Sequence, residues 1–230
     1  MPHFNFFYDV ETSGNDPIRN GIIAFSLIVT DENNIALDRF NMKVCPPDLL
    51  PTTWSHGAES VHQISYETVK NQHVPNNKFC FELLCFMKKF LSNNIHTSIM
   101  HASPRGMPEI NPRTNKPNGS WRIYPWFDYF FLEWAFRKAM FKDGNSMVYK
   151  FWKILGTDKL VSTVQMGRDA GFKKNKLSDW AERIDFKLNH HDAESDTNCL
   201  FQLYIHLEKL KNNDFVTIDN QKFTSINIPF

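Results

Sequence analysis

At 230 residues, 42% of them hydrophobic and 21 of them Phe, the chain is long enough to bury a sizeable core in one or two domains. Its formal net charge of +1 excludes capture of an anionic partner by an overall positive field, so any such partner must be gripped locally. No linker, internal repeat or low-complexity tract divides it, and a single domain over residues 1–230 is expected.

The β-branched and aromatic content of Phe4–Val10 predicts a strand at the very start. Nothing there resembles the basic region and apolar core of a signal peptide, and no run approaches membrane-spanning length. An intracellular, cytoplasmic protein with no membrane partner is therefore expected. Asp9 and Glu11 stand two apart at the end of this strand and share one face. Held close on a mostly buried element they repel, and a divalent cation is the natural counter-charge. Taken alone, the pattern is equally compatible with a strand running into the ordinary turn chemistry of Thr12-Ser13-Gly14.

Strands over Gly21–Thr30 and Ile35–Val44 follow, joined by the turn Asp31-Glu32-Asn33-Asn34. A helix over Phe79–Leu91 and a strand over Thr97–His101 come next. Residues 103–125 then carry Pro104, Pro108, Pro112, Pro117 and Pro125, a density that excludes a long helix or a central strand. The same stretch holds Arg105, Arg113, Lys116 and Arg122 against one acid, Glu109, with Trp121 and Tyr124 nearby. Basic groups contact phosphates and aromatic rings stack on bases, so a strand-guiding loop is one reading; a solvated excursion or a protein-binding patch is the other.

Asp128 opens an apolar helix over Trp126–Phe141, where Phe127, Phe130, Phe131 and Trp134 have the spacing of helix core. A strand is expected at Lys159–Val164 and a helix at Leu177–Arg183, with the basic turn Lys173-Lys174-Asn175-Lys176 before it. The last helix, His191–Lys211, is marked by Cys199, Leu200, Leu203, Tyr204, Leu207 and Leu210. His191 and Asp196, five apart, differ by about 140° around a helix, so they face one site only if His191 lies before the first full turn. Against this stands a helix start made acidic by the dipole, with Asp192, Glu194 and Asp196 as solvated charges. Cys45, Cys80, Cys85 and Cys199 lack paired spacing and read as buried thiols.

Together, Asp9-x-Glu11-Thr12-x-Gly14 and His191-x-Ala193-x-x-Asp196 resemble the first and last motifs of the DEDDh 3′–5′ exonucleases. Asp158–Thr163 and Leu177–Ala181 are similar to the stretch that precedes the last motif. Ser60-Val61-His62-Gln63-Ile64 resembles a segment that leans over the 3′ terminal nucleotide. The resemblance runs over residues 4–211 and departs in the middle, where Met100-His101-Ala102-Ser103 is separated from Phe127-Asp128 by the proline-rich interruption. Asp128 is assigned as the second aspartate because it alone sits in a Phe-Asp-x-x-Phe-Leu setting. An Asp merely favoured in a helix's first turn is the alternative.

The resemblance implies an α/β, ribonuclease H-like fold: a mixed five-stranded sheet flanked by helices. It implies two Mg²⁺ or Mn²⁺ ions held by Asp9, Glu11, Asp128 and Asp196, and His191 as the base that activates water. Thr12, His62, Ile64, Arg105 and Arg122 are the implied substrate contacts. The implied substrates are single-stranded or frayed 3′ ends of DNA or RNA, released as nucleoside 5′-monophosphates. A weak or inactive nucleic-acid-binding module of the same fold, and a sequence-unspecific endonuclease, are the rivals.

Overall fold

The computed structural model describes residues 3–90, 95–101, 105–111, 116–124, 127–142, 144–148 and 160–211. Its sheet is built around β1 (His3–Thr12), which pairs antiparallel with β2 (Ile22–Thr30), itself antiparallel to β3 (Ala36–Cys45). On its other side β1 pairs parallel with β5 (Ile95–Met100), and β5 parallel with β8 (Leu160–Ser162). The fold is thus the expected mixed sheet, with six strands in place of five. The additional one, β4 (Val74–Pro75), pairs with the end of β3 and, at two residues, leaves no periodic signal in the sequence.

The β2–β3 turn forms because the Asp31 carboxylate accepts from the N–H groups of Asn33 (2.9 Å) and Ile35 (2.8 Å), while Asn34 takes the left-handed backbone that Asn tolerates. Three short helices escaped the sequence reading: α1 (His56–His62), α2 (Tyr66–Gln72) and α5 (Thr163–Asp169). Seven residues leave little periodicity, although α6 (Leu177–Arg183), of the same length, was expected; each of the three missed helices carries a serine cap. Ser55 accepts from the Ala58 N–H, Ser65 from Thr68 and Ser162 from Gln165. The Ser162 cap also corrects the expected strand Lys159–Val164. The strand stops at Ser162, and Thr163 and Val164 are buried in the first turn of α5. Lys159 lies outside the described residues.

Alternation along β1 divides its side chains between two layers. Phe6, Tyr8 and Val10 pack on the side of α3 (Asn76–Met87) and α4 (Phe127–Lys138), with Phe79, Leu83, Phe131 and Phe136. Phe7, on the other face, packs against Leu200 and Phe201 of α7 (Ala193–Lys211). Phe6, Phe7, Phe79 and Phe136 are fully buried, each contributing on the order of 1.5–3 kcal/mol relative to exposure. Phe130, Phe131 and Trp134 are core, as their spacing indicated. Cys80 and Cys199 are buried free thiols, whereas Cys85 is exposed, a correction to the reading of all four cysteines as buried. No described helix is long and apolar enough to cross a membrane.

The proline-rich segment forms a separate two-stranded hairpin, β6 (Arg105–Asn111) and β7 (Lys116–Tyr124). Among the described residues each of its strands pairs only with the other, and the edge left on each accommodates Pro108 and Pro117. Arg105 lies opposite Tyr124 and Arg122 opposite Met107, while Arg113 falls outside the described residues.

Candidate active site

The parallel strands β1, β5 and β8 end at a cavity of about 620 Å³, and the helices that follow begin there. Asp9 and Glu11 come from the end of β1, Asp128 from the first turn of α4, Asp196 from the first turn of α7, and His191 from the approach to α7. All five expected catalytic positions therefore line one cavity. Crevices at the carboxyl ends of parallel strands are where open α/β sheets place their ligands.

The turn after β1 is held by close backbone packing. The Thr12 hydroxyl donates to the Gly14 carbonyl (2.8 Å), and the Gly21 N–H donates to the Ser13 hydroxyl (3.0 Å). A Cβ on Gly14 would stand 2.5 Å from the Asn20 side chain, whose amide is spent on the Thr53 carbonyl. Only glycine lets the two segments approach so closely.

One carboxylate oxygen from each of Asp9, Glu11 and Asp196 lies within 4.8 Å of the others. Asp128 lines the same cavity outside this tightest group, and its charge is felt by both Asp9 and Glu11. Burial, then the neighbouring acids, pushes Asp9 well above the ordinary carboxylate range and raises Glu11 to about 8. Burial and then the charge of Asp196 raise Asp128 to about 7, against a hydrogen bond from its own backbone. Asp196 rises to about 6, burial outweighing the proximity of His190 and the His191 N–H. Asp196 is 4% exposed, so the reading of this residue as a solvated helix-start charge is corrected.

These residues fit a hard divalent cation. Every acidic donor is an oxygen, the acids repel for want of a counter-charge, and Asp196 Oδ1 is buried without a hydrogen-bond partner. Lys176 is the one Lys or Arg among the described residues lining the cavity. A phosphodiester entering such a pocket would be repelled unless cations intervened.

The raised carboxyls hold protons in the folded protein that the unfolded chain has already released, so metal-free stability falls as pH rises through about 6 to about 8. Thermal unfolding in chelator should show a lower midpoint in mildly alkaline than in mildly acidic buffer. Mg²⁺ should raise the midpoint most at the alkaline end, where the acids are ionised. A metal response independent of pH would contradict the mutual repulsion.

His191 lies outside α7 in the left-handed region (φ 67°), as its spacing from Asp196 required, and its N–H donates to Asp196 Oδ2 (3.1 Å). Partial burial, then His190, lowers its pKa below 6.5, which keeps the ring neutral near pH 7. Ala193 is buried, as expected of a small residue that lets α7 lie close.

His62 and Thr12 line the cavity, whereas Ile64 does not. It packs with Ile23, Trp54 and Val69 in a small core beneath α1 and α2, and its N–H donates to His62 Nδ1 (3.0 Å). That bond leaves the proton on His62 Nε2. Sequence reasoning missed other lining residues, among them Gly57 and Ala58 of α1, Phe127 and Asn175. The Ser55 cap followed by Glu59 was the available signal for α1. His101 also lines the cavity, with Nε2 donating to the Asn175 carbonyl (2.9 Å) and Nδ1 paired with the Thr163 hydroxyl (2.8 Å). Burial lowers His101 to about 4, so it is a neutral strut that fixes the turn carrying Lys176.

No family model and no curated protein matches the chain, but solved structures do. Escherichia coli exonuclease I in complex with a dT13 oligonucleotide matches with a TM-score of 0.65 and 11% identity, over 91% of this chain and 42% of that one. A 3′-exonuclease solved for 3′-end-specific recognition of a histone mRNA stem-loop gives 0.57 and 13%, over 91% and 64%. Exonuclease I from Methylocaldum szegediense gives 0.55 and 12%, over 93% and 41%. The chain thus spans less than two thirds of each of these proteins. What it shares with them is the fold, that of ribonuclease H-like exonuclease domains.

Proposed function

We propose that the chain is a divalent-metal-dependent 3′–5′ exonuclease acting on single-stranded or frayed 3′ ends of DNA or RNA. The observation that carries this is the convergence of Asp9, Glu11 and Asp196 within 4.8 Å, with His191 beside them on the same cavity. The exonuclease domains that share the fold lend support, one of them solved with an oligonucleotide.

Two Mg²⁺ or Mn²⁺ ions would be held by Asp9, Glu11, Asp128 and Asp196, and when bound they stabilise charge on the attacking and departing oxygens. The neutral ring of His191 takes a proton from water as the water oxygen bonds to phosphorus and the bond to the 3′ oxygen breaks. The products are a nucleoside 5′-monophosphate and a strand one nucleotide shorter. Thr12, His62 and α1 form the wall against which the terminal nucleotide rests. An intracellular, cytoplasmic setting belongs to the same reading. Digestion of matched 5′-labelled DNA and RNA strands with Mg²⁺ or Mn²⁺ tests it: a ladder shortening from the 3′ end is expected. Internal cuts without a ladder would contradict it.

The β6–β7 hairpin lies in the chain between His101 and Phe127, both of which line the cavity, and its two strands include Arg105, Lys116 and Arg122. It guides the strand toward the acids. Neutralising Arg105, Arg113, Lys116 and Arg122 together should weaken binding of long substrates and flatten its salt dependence, because each lost phosphate contact removes counterion release. Dinucleotide cleavage should barely change. A quadruple variant with the parent's salt slope and long-strand affinity would remove the hairpin from substrate binding.

A further inference from the structure

His190 falls outside the motif that points to His191 and Asp196, yet it stands at the same cavity with a ring nitrogen facing the same carboxylate. The left-handed backbone at His191 brings two successive side chains to one side, so their rings stack with centroids 3.8 Å apart and planes 18° apart. His190 Nδ1 lies 3.5 Å from Asp196 Oδ2, and one ligand atom from each of His190, His191 and Asp196 lies within 4.8 Å of the others. Asp196 is already oriented by the His191 N–H, and its Oδ1 is buried without a partner.

We infer that His190, His191 and Asp196 form a second cation site, suited to a nitrogen-preferring divalent ion such as Zn²⁺ and sharing Asp196 with the all-oxygen site. Zinc binds imidazole nitrogen and carboxylate oxygen at about 2.0–2.2 Å in tetrahedral geometry, which puts neighbouring ligand atoms about 3.3–3.6 Å apart. The His190–Asp196 pair already has that separation. The ring of His190, with 42% of its side chain accessible, has room to turn out of its stack on His191 so that both rings aim a nitrogen at one ion. Magnesium prefers an octahedral oxygen shell and gains little from the two rings, so the choice of ion is set by ligand type. The positive end of α7 opposes a cation here, and Asp192 adds negative charge beside Asp196. The consequence for activity rests on the proposed exonuclease reading: a zinc-bound His191 cannot take a proton from water, so Zn²⁺ inhibits by occupying the base.

Calorimetric titration of Zn²⁺ and, separately, Mg²⁺ into the full chain tests the site without reference to turnover. The D9N/E11Q variant should lose Mg²⁺ binding and keep one zinc site. Adding His190→Asn to that background should weaken zinc by at least about tenfold. Nitrogen NMR of the unmutated protein should show the imidazoles of both His190 and His191 shifting on addition of Zn²⁺, a readout that does not depend on any variant folding. Equal zinc affinity with and without His190, loss of zinc in D9N/E11Q, or a shift confined to one ring would each overturn the site. Failure of the exonuclease reading would show separately, as absence of hydrolysis with Mg²⁺ in a protein that still binds zinc.

Discussion

Asp9→Ala, Glu11→Ala and Asp196→Ala are each expected to abolish hydrolysis while leaving the protein folded. Each side chain contributes an oxygen to a group confined within 4.8 Å. Loss of a shared cation forfeits several kcal/mol of charge stabilisation in the transition state, a rate loss on the order of 10³-fold or more. The fold should survive because burial and mutual repulsion already raise these acids, so removing one relieves strain in the metal-free protein. Thermal unfolding in chelator should show no fall for Asp9→Ala or Glu11→Ala. Turnover near the parent value with Mg²⁺ in any of the three would remove that residue from the metal site.

His191→Ala should cost on the order of 10²–10⁴ in rate, the usual cost of losing a general base, and His190→Ala should cost far less. His190 stacks on His191 and lies 3.5 Å from Asp196, so it adjusts the base without being it. The pH profile carries the sign. A protonated ring cannot accept the water's proton, so at saturating metal the parent rate should fall as pH drops through the His191 pKa, which burial and His190 hold below 6.5. His191→Ala should lose that acidic limb. Equal defects in the two variants would contradict the assignment of His191 as the base.

The two ends of the site were legible in the sequence because their signals are local. Asp9 and Glu11 share a face by the period of a strand, and the spacing of His191 from Asp196 demanded a break before α7, which the structure supplies as a left-handed residue. Asp128 was assigned from its Phe-Asp-x-x-Phe-Leu setting at an apolar helix start, and its burial at the cavity came only with the fold. Ile64 was misplaced for the same reason: adjacency to His62 in sequence does not decide which of the two faces the cavity and which faces Trp54 and Val69. His101 and Asn175 meet across 74 residues, a contact no local pattern encodes. The proline density of 103–125 excluded a central strand correctly, but the segment was read as a loop, and its described residues pair as a two-stranded hairpin.

The activity proposed for this cavity is removal of nucleotides from a free 3′ end with the help of divalent ions. The most direct measurement compares a 5′-labelled linear oligonucleotide with the same sequence closed into a circle, each incubated with the full chain in Mg²⁺ and in chelator. The linear strand should shorten one nucleotide at a time in Mg²⁺ alone, with nucleoside 5′-monophosphate accumulating, while the circle stays intact. Cleavage of the circle at the rate of the linear strand, degradation in chelator, or an intact linear strand bound to folded protein in Mg²⁺ would contradict it.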